Sequence, residues 1–160
     1  MALWGDLMIL SAQSIRRYGE YLIKPFVCQQ QTQSGLTYGL SSCGYDIRIA
    51  QDLMLRVGEF ALASSVECFD LPTHLLMRIC DKSTWARRGI FVQNTVAEPG
   101  WRGYLTLEIT NQSKDKQFLH KGDPIAQVIF ELLDEPTDMP YAGKYQDQPD
   151  KPIKAILEQA

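Results

Sequence analysis

From Cys43 to Leu133 the apolar positions come in short runs, broken at near-regular intervals by turn residues. FALASSVECF (60–69), LLMRIC (75–80), GIFVQN (89–94), YLTLEIT (104–110) and PIAQVIFELL (124–133) have the length and branched or aromatic content of strands. The last of them would also pass for a helix on periodicity. Gly58, Pro72, Gly89, Pro99-Gly100, Gly103 and Gly122-Asp123-Pro124 separate the runs. Many short strands at this spacing predict an all-β barrel or jelly roll. Ahead of them, SAQSIRRY (11–18) reads as a short helix capped by Ser11, with Ile15 and Tyr18 on one face. Residues 28–38 are polar and Gln-rich and read as an exposed loop or irregular strand. Residues 134–160 are rich in Pro, Asp and Gln. They have little means of forming a core of their own and are expected to pack on this subunit or a neighbour.

In YLTLEIT the alternation is strict. Leu105, Leu107 and Ile109 are expected to face a core, and Tyr104, Thr106, Glu108 and Thr110 the other side. Glu108 is thereby placed in the middle of a strand on a polar face. Two readings stand: a solvated glutamate on an open sheet, or a carboxyl covered by a ligand or another subunit. In the second, burial raises its pKa and suits it to proton transfer. In DKSTWARRG (81–89), Ser83 or Thr84 can cap a short helical turn that Gly89 ends, with Lys82 beside it and Ser83 and Arg87 at i, i+4. This is either an anion site or a capped surface turn. In NTVAEPGWRG (94–103), the Glu98 carboxylate can accept from a sugar hydroxyl or simply be solvated, and Trp101 reads as packing.

Bulk properties narrow the class. A chain of 160 residues with 45% hydrophobic content fits one domain over 1–160, with 134–160 as its tail. The net charge of −3 disfavours a general nucleic-acid binder but not an enzyme that needs a few local cations. Cys28, Cys43, Cys68 and Cys80 form no C-x-x-C pair and read as reduced thiols, mostly buried, in a cytoplasmic protein. The stretch MALWGDLMIL does not read as a signal peptide, and no apolar run approaches a membrane span. His74 and His120 lack partners at metal-ligand spacing. The zinc-deaminase signature, the P-loop and G-x-S-x-G are all absent from the sequence.

Five segments together resemble a known family. They are SCGYDIRIA (42–50), DKSTWARRGI (81–90), AEPGWRGYLTLEITN (97–111), GDPIAQVIF (122–130) and PYAGKYQDQ (140–148). In this order they are similar to the motifs of dCTP deaminases, which belong with the trimeric dUTPases. The resemblance implies a distorted jelly-roll, dUTPase-like β-clip subunit and a homotrimer with sites between subunits. It implies a deoxycytidine nucleotide as substrate, Mg²⁺ on the nucleotide phosphates rather than on protein side chains, and no zinc. Glu108 falls on the catalytic glutamate, and Ser83 and Arg87 on the serine and arginine at the reaction centre. Lys82, Thr84, Trp85 and Ala86 belong to the same nucleotide-binding loop, with Asn94 presenting a backbone carbonyl to the reacting water or amine. Glu98 falls near the deoxyribose 3′-OH, and Thr106 and Leu107 on the base-binding strand. Gln127, Tyr141, Lys144 and Gln148 fall on positions that contact the triphosphate, the last three from a tail folding over the ligand.

The implied reaction is hydrolytic deamination of dCTP to dUTP and ammonia, with Glu108 as general base and acid. Alternatives are a bifunctional deaminase and dUTPase, a deaminase preferring dCMP, and a non-catalytic nucleotide-binding regulator. Two departures stand out. About twenty residues usual in the family between the first motif and FALASSVECF are missing here, and Asp147 stands where relatives usually carry glycine.

Overall fold

Strands of two to eleven residues are the main regular structure of the chain, with short α-helices beside them. The computed structural model describes residues 8–157. The N-terminal residues 1–7, part of the stretch that does not read as a leader, and the last three residues of the tail lie outside the described residues. The elements run β1 (Met8–Ile9), α1 (Ala12–Tyr18), β2 (Ile23–Lys24), β3 (Gln30–Gln31), β4 (Thr37–Leu40), β5 (Tyr45–Arg48), β6 (Leu53–Leu55) and β7 (Phe60–Asp70). They continue with β8 (Leu75–Asp81), α2 (Ser83–Ala86), β9 (Ile90–Val92), β10 (Val96–Ala97), β11 (Arg102–Asn111), β12 (Gln117–Leu119) and β13 (Pro124–Leu132). All five expected strands are present, and 124–132 is a strand rather than a helix.

One sheet has the order β10-β8-β13-β5-β4-β3, with β1 added on β13; a second runs β2-β7-β11-β9; and β6 pairs with β12. Every pairing is antiparallel. Ile47, Ile79, Val128 and Phe130 of the first sheet and Ala63, Leu107 and Ile109 of the second belong to one buried core. Covering a side chain of this size contributes about 1.5–3 kcal/mol, so the inward rows of both sheets are what hold them face to face.

The Gln-rich stretch is an irregular hairpin, Gln30 opposite Tyr38 and Gln31 opposite Thr37. Ser11 stands at the N-cap of α1 in extended conformation, but its hydroxyl donates to Ser14 Oγ at 3.3 Å instead of capping a backbone N–H. Ile15 is fully buried, and the Tyr18 hydroxyl meets His74 Nε2 at 2.8 Å. The expectation of mostly buried thiols is corrected. All four cysteines are free, but Cys28 and Cys43 are exposed and Cys68 and Cys80 half-buried. Cys28 sits in the polar stretch and Cys43 in the turn between β4 and β5, neither of which has an inward face. No helix among the described residues is long and apolar enough to cross a membrane.

Candidate active site

β11 sets the site because its alternation is complete. From Gly103 to Asn111 every odd-numbered residue is buried and every even-numbered one half-buried. Leu107 and Ile109 go into the core, which turns Thr106, Glu108 and Thr110 to the opposite face. The register with β7 is Thr106 to Ser64, Glu108 to Leu62 and Thr110 to Phe60. On the other edge, Thr110 pairs with Phe91 of β9. Between Tyr104 and Thr106 the register shifts, so that Ser65, Val66 and Glu67 of β7 face Leu105 alone. Ser65 Oγ accepts the Leu105 N–H at 2.9 Å and donates to the Glu67 carbonyl at 2.6 Å, which satisfies backbone groups that the ladder leaves out.

The outer face of this sheet forms one wall of a cleft of about 450 Å³. Thr106 and Glu108 line it from β11, Phe60 and Leu62 from β7, and Thr95, Val96 and Glu98 from the segment between β9 and β11. Burial pushes the Glu108 carboxyl above its ordinary value, offset in part by a hydrogen bond from its own backbone N–H. The Glu108 carbonyl accepts the Gln93 N–H at 3.0 Å, which seats the 93–95 segment beside the carboxyl.

The tail closes the cleft from the other side on its own subunit, contributing Tyr141, Tyr145, Gln148, Ile153 and Ala155. Its contacts with β11 and the preceding turn combine backbone and side-chain groups. The Gln148 carbonyl accepts the Tyr104 N–H at 3.0 Å, and the Arg102 carbonyl accepts the Asp147 N–H at 2.9 Å. The Thr106 hydroxyl donates to Gln148 Oε1 at 3.2 Å and accepts the Ile153 N–H at 3.0 Å. Trp101 is buried, as expected of a packing residue, and its indole N–H donates to the Tyr145 carbonyl at 2.7 Å. Gly103 makes the approach possible: with φ +142° it lies where a Cβ would stand 2.6 Å from the Gln148 nitrogen.

The expected site residues therefore divide. Glu98, Thr106, Glu108, Tyr141 and Gln148 share the cleft. A second group stands elsewhere. Lys82 is buried and ion-paired with Asp46, so its ammonium is already neutralised within the chain. Gln127 donates to Ser41 Oγ at 3.1 Å and hydrogen-bonds the Asp46 carboxylate. Burial pushes the Asp46 carboxyl up, against the lowering effect of Lys82. Ser83 and Thr84 are exposed on α2 and Arg87 is exposed at its C-cap; the N-cap is Lys82 with no side-chain cap bond, so neither Ser83 nor Thr84 is the cap. Gly89 follows at φ +79° and ends the turn as expected. Ala86 is half-buried, and Asn94 is exposed beside the cleft without lining it.

Two more of the expected site residues have buried side chains. Leu107 is buried on the core face, because alternation allows it no other direction, so only its backbone is open to a base-binding role. The Trp85 ring is buried, with its N–H on the Pro124 carbonyl at 2.7 Å and the Arg88 guanidinium stacked over it at 4.5 Å. Lys144 is exposed, its ammonium 5.6 Å from the centre of the Tyr145 ring. Phe60, Leu62, Thr95, Val96, Tyr145 and Ile153 belong to the cleft without having been singled out in the sequence. Tyr145 was the one with a visible signal, as the aromatic of the KY pair in PYAGKYQDQ.

Among the described residues, His, Cys, Asp and Glu side chains do not gather in threes where they could hold a metal ion. His74 is taken by Tyr18, and His120 is exposed with Nδ1 3.9 Å from Asp52.

Comparison with known proteins follows the same lines. A family profile described as dCTP deaminase-like matches residues 40–133, which takes in four of the five motifs and stops short of the tail. A dCTP deaminase of Roseiflexus castenholzii is 37% identical over 165 aligned positions, covering 83% of this chain and 89% of the relative. Among solved structures, the 2′-deoxycytidine 5′-triphosphate deaminase of Agrobacterium tumefaciens superposes with a TM-score of 0.65 at 17% identity. That match covers 79% of this chain and 48% of the other. A mutant dUTPase from phage phi11 of S. aureus, described with a structural Mg(II) ion, superposes with a TM-score of 0.54 at 14% identity over 88% of this chain and 96% of its own. At these identities the two structures speak for the fold, which is dUTPase-like.

Proposed function

The chain belongs to the dCTP deaminase family and acts on dCTP, and from that premise we propose that Glu108 moves the protons of the reaction in a cleft completed by a neighbouring subunit. The overall change is dCTP plus water to dUTP plus ammonia. Glu108, as carboxylate, takes a proton from a water held near C4 of the cytosine. The hydroxide adds to C4 and Glu108 passes the proton it took to N3, giving a tetrahedral intermediate. Glu108 then takes the proton of the new C4 hydroxyl and delivers it to the amine, ammonia leaves, and the C4 oxygen becomes a carbonyl. The observation that carries this is the half-buried carboxyl itself. It stands mid-strand in a cleft of nucleotide size, its pKa raised by burial, which suits a group that must both accept and donate a proton.

Ser83 and the backbone carbonyl near Asn94 orient the water and amine. Arg87 steadies the charge that develops. Glu98 accepts from the sugar hydroxyl, and Thr106 and the Leu107 backbone face the base. Gln127, Tyr141, Lys144 and Gln148 serve the phosphates, with Lys82 shared between them and Asp46. Mg²⁺ would be held mainly by the nucleotide phosphates rather than by side chains, and would neutralise part of their charge. An ion of this kind takes oxygen ligands and keeps several waters, so a triphosphate can hold it with little help from side chains.

The homotrimer is supported by the division of the site residues. Ser83 and Arg87 do not line the cleft of their own chain, which fits an arrangement in which a second chain brings them to Glu108. The face around Glu108 also leaves Phe60, Phe91 and Val96 at 54%, 39% and 44% exposure, the apolar surface an interface would cover. The four free cysteines support a reducing, cytoplasmic setting.

The test is to incubate the purified protein with dCTP, dCDP, dCMP and dUTP, with and without Mg²⁺, and to resolve the products. Release of dUTP and ammonia from dCTP is expected. Pyrophosphate from dUTP would identify a bifunctional enzyme, and faster turnover of dCMP a monophosphate deaminase. Tight binding without ammonia would leave a regulator and refute the proposal.

A further inference from the structure

Asp147 is the one non-glycine residue with positive φ among the described residues, at +58°. Asp and Asn tolerate this left-handed conformation better than other L-residues, because a short polar side chain can bond locally. Here the side chain bonds across to β11: the Arg102 Nε–H donates to Asp147 Oδ1 at 2.6 Å. Arg102 is held by its backbone as well. Its N–H donates to Gln146 Oε1 at 2.8 Å, and its carbonyl accepts the Asp147 N–H at 2.9 Å. The next residue pairs Gln148 with Gly103 in a parallel bridge.

The place matters because this stretch of β11 has an open edge. β9 pairs with β11 only at Ile109, Thr110 and Asn111, so residues 102–104 lack a strand neighbour on that side. Tail residues 146–148 take the vacancy. From there the chain runs back over the cleft, and Ile153 is tied to Thr106, two residues from Glu108. The cleft keeps a volume of about 450 Å³ with the tail in this position. The tail is therefore a wall of the cleft and not a plug in it.

We propose that Asp147 and Arg102 are a positioning pair that latches the tail onto the open edge of β11, so that the Glu108 cleft is walled before a nucleotide arrives. Neither side chain lines the cleft, and both are more than half exposed. Exposed charge pairs are screened by salt, so the latch is strong at low ionic strength and weakened at high. Where the tail opens, substrate binding must also close it, and the apparent affinity falls by the closed fraction.

The structural half stands without any assumption about the reaction; the kinetic half rests on the dCTP reading. Amide hydrogen exchange of the full chain, without nucleotide, reads the first. Asp147→Asn keeps the left-handed tolerance and removes the charge. Arg102→Gln removes the partner, and Arg102→Lys keeps its charge. Exchange at Tyr104, Asp147 and Ile153 is expected to quicken by about two- to fivefold in Asp147→Asn and Arg102→Gln. Arg102→Lys should stay near the parent. High salt should speed the parent and leave Asp147→Asn unchanged. With dCTP, the two charge-removing variants should raise KM by a similar factor at constant kcat. Parent-like exchange in Asp147→Asn, or equal salt response in parent and variant, overturns the latch. A fall in kcat at constant KM overturns its role in positioning the wall.

Discussion

Glu108 stands directly across the β7–β11 ladder from Leu62, an apolar partner that gives its carboxylate no compensation. Burial is accordingly the leading cause of its raised pKa. A carboxyl held above its unfolded value favours the folded state while protonated, and that advantage is lost as pH rises through the folded pKa. Glu108→Gln keeps the shape and removes the penalty. Thermal unfolding should show the variant melting above the parent at pH 8, with the gap closing as pH falls to the ordinary glutamate range. A variant less stable than the parent at every pH would mean that the carboxylate is stabilised rather than penalised.

The same substitution tests the chemistry. Loss of a positioned acid and base removes about 10²–10⁴-fold of rate, so ammonia release from dCTP by Glu108→Gln should fall by that factor while nucleotide binding stays within a few-fold. In the parent, kcat/KM should rise with pH along a limb displaced above the usual carboxylate value, because the base form is the one that takes the water proton. Turnover near the parent's in the variant would remove Glu108 from the mechanism.

The direction of the Glu108 side chain was legible in YLTLEIT, because one face of the strand is buried and the period of two leaves a single choice. Alternation likewise settles the Leu107 side chain, which is buried in the core and leaves only the backbone of that residue for a part in binding. The opposite wall was not legible. Whether Leu62 or Ala63 faces Glu108 depends on a register that shifts by two residues at Ser65–Glu67, and no local pattern encodes that shift. The course of the tail was hidden for a different reason. Most of its hydrogen bonds have a backbone group at one end or both, as between Tyr104 and Gln148 and between Arg102 and Asp147, and backbone groups carry no sequence signal. Lys82 looked like a free cation beside a turn; the partner that neutralises it, Asp46, lies 36 positions away in the first motif.

Arg48 and Glu67 form the buried ion pair beneath the β7 irregularity. Glu67, fully buried, accepts the Arg48 N–H at 2.9 Å and its Nε–H at 2.7 Å. Arg48→Met removes the charge, keeps most of the bulk and strands the carboxyl in the core. The expected loss is about 3–5 kcal/mol in urea unfolding at neutral pH. Burial pushes the Glu67 carboxyl up, and the backbone N–H and guanidinium of Arg48 offset that only in part. Without the guanidinium it rises further, so the deficit should be greater at pH 8 than at pH 5. The double variant Arg48→Met/Glu67→Leu should recover part of the loss. A single variant as stable as the parent would show that the pair holds nothing.

Gly103→Ala probes the contact between β11 and the tail by sterics alone. A Cβ there would meet Gln148 backbone atoms at 2.6 and 2.9 Å, and backbone cannot step aside as a flexible side chain can. The φ of +142° is also unfavourable for alanine. The tail should lift from β11 while the sheet persists, because the β7 side of the strand is untouched. Hydrogen exchange should show lost protection at Tyr104 and Asp147 with Leu107 and Ile109 still protected. The KM for dCTP should rise. Retained protection at Tyr104 would mean that the tail re-docks in another register.

If each site takes Glu108 from one chain and Ser83 with Arg87 from its neighbour, two inactive variants should repair one another. Glu108→Gln supplies an intact Ser83 and Arg87; Ser83→Ala/Arg87→Ala supplies an intact Glu108. Neither homo-oligomer contains a complete site. After unfolding and refolding together in equal amounts, a site is complete when its Glu108 chain is the double variant and its neighbour the single one. Random assortment gives this at about a quarter of the sites. Deamination of dCTP should therefore return to about a quarter of the parent's rate, and two variants refolded separately and then mixed should stay inactive until subunits exchange. If the co-refolded mixture is as dead as its components, all three residues act within one chain. The separation of α2 from the Glu108 cleft would then have to close by a movement of the subunit itself.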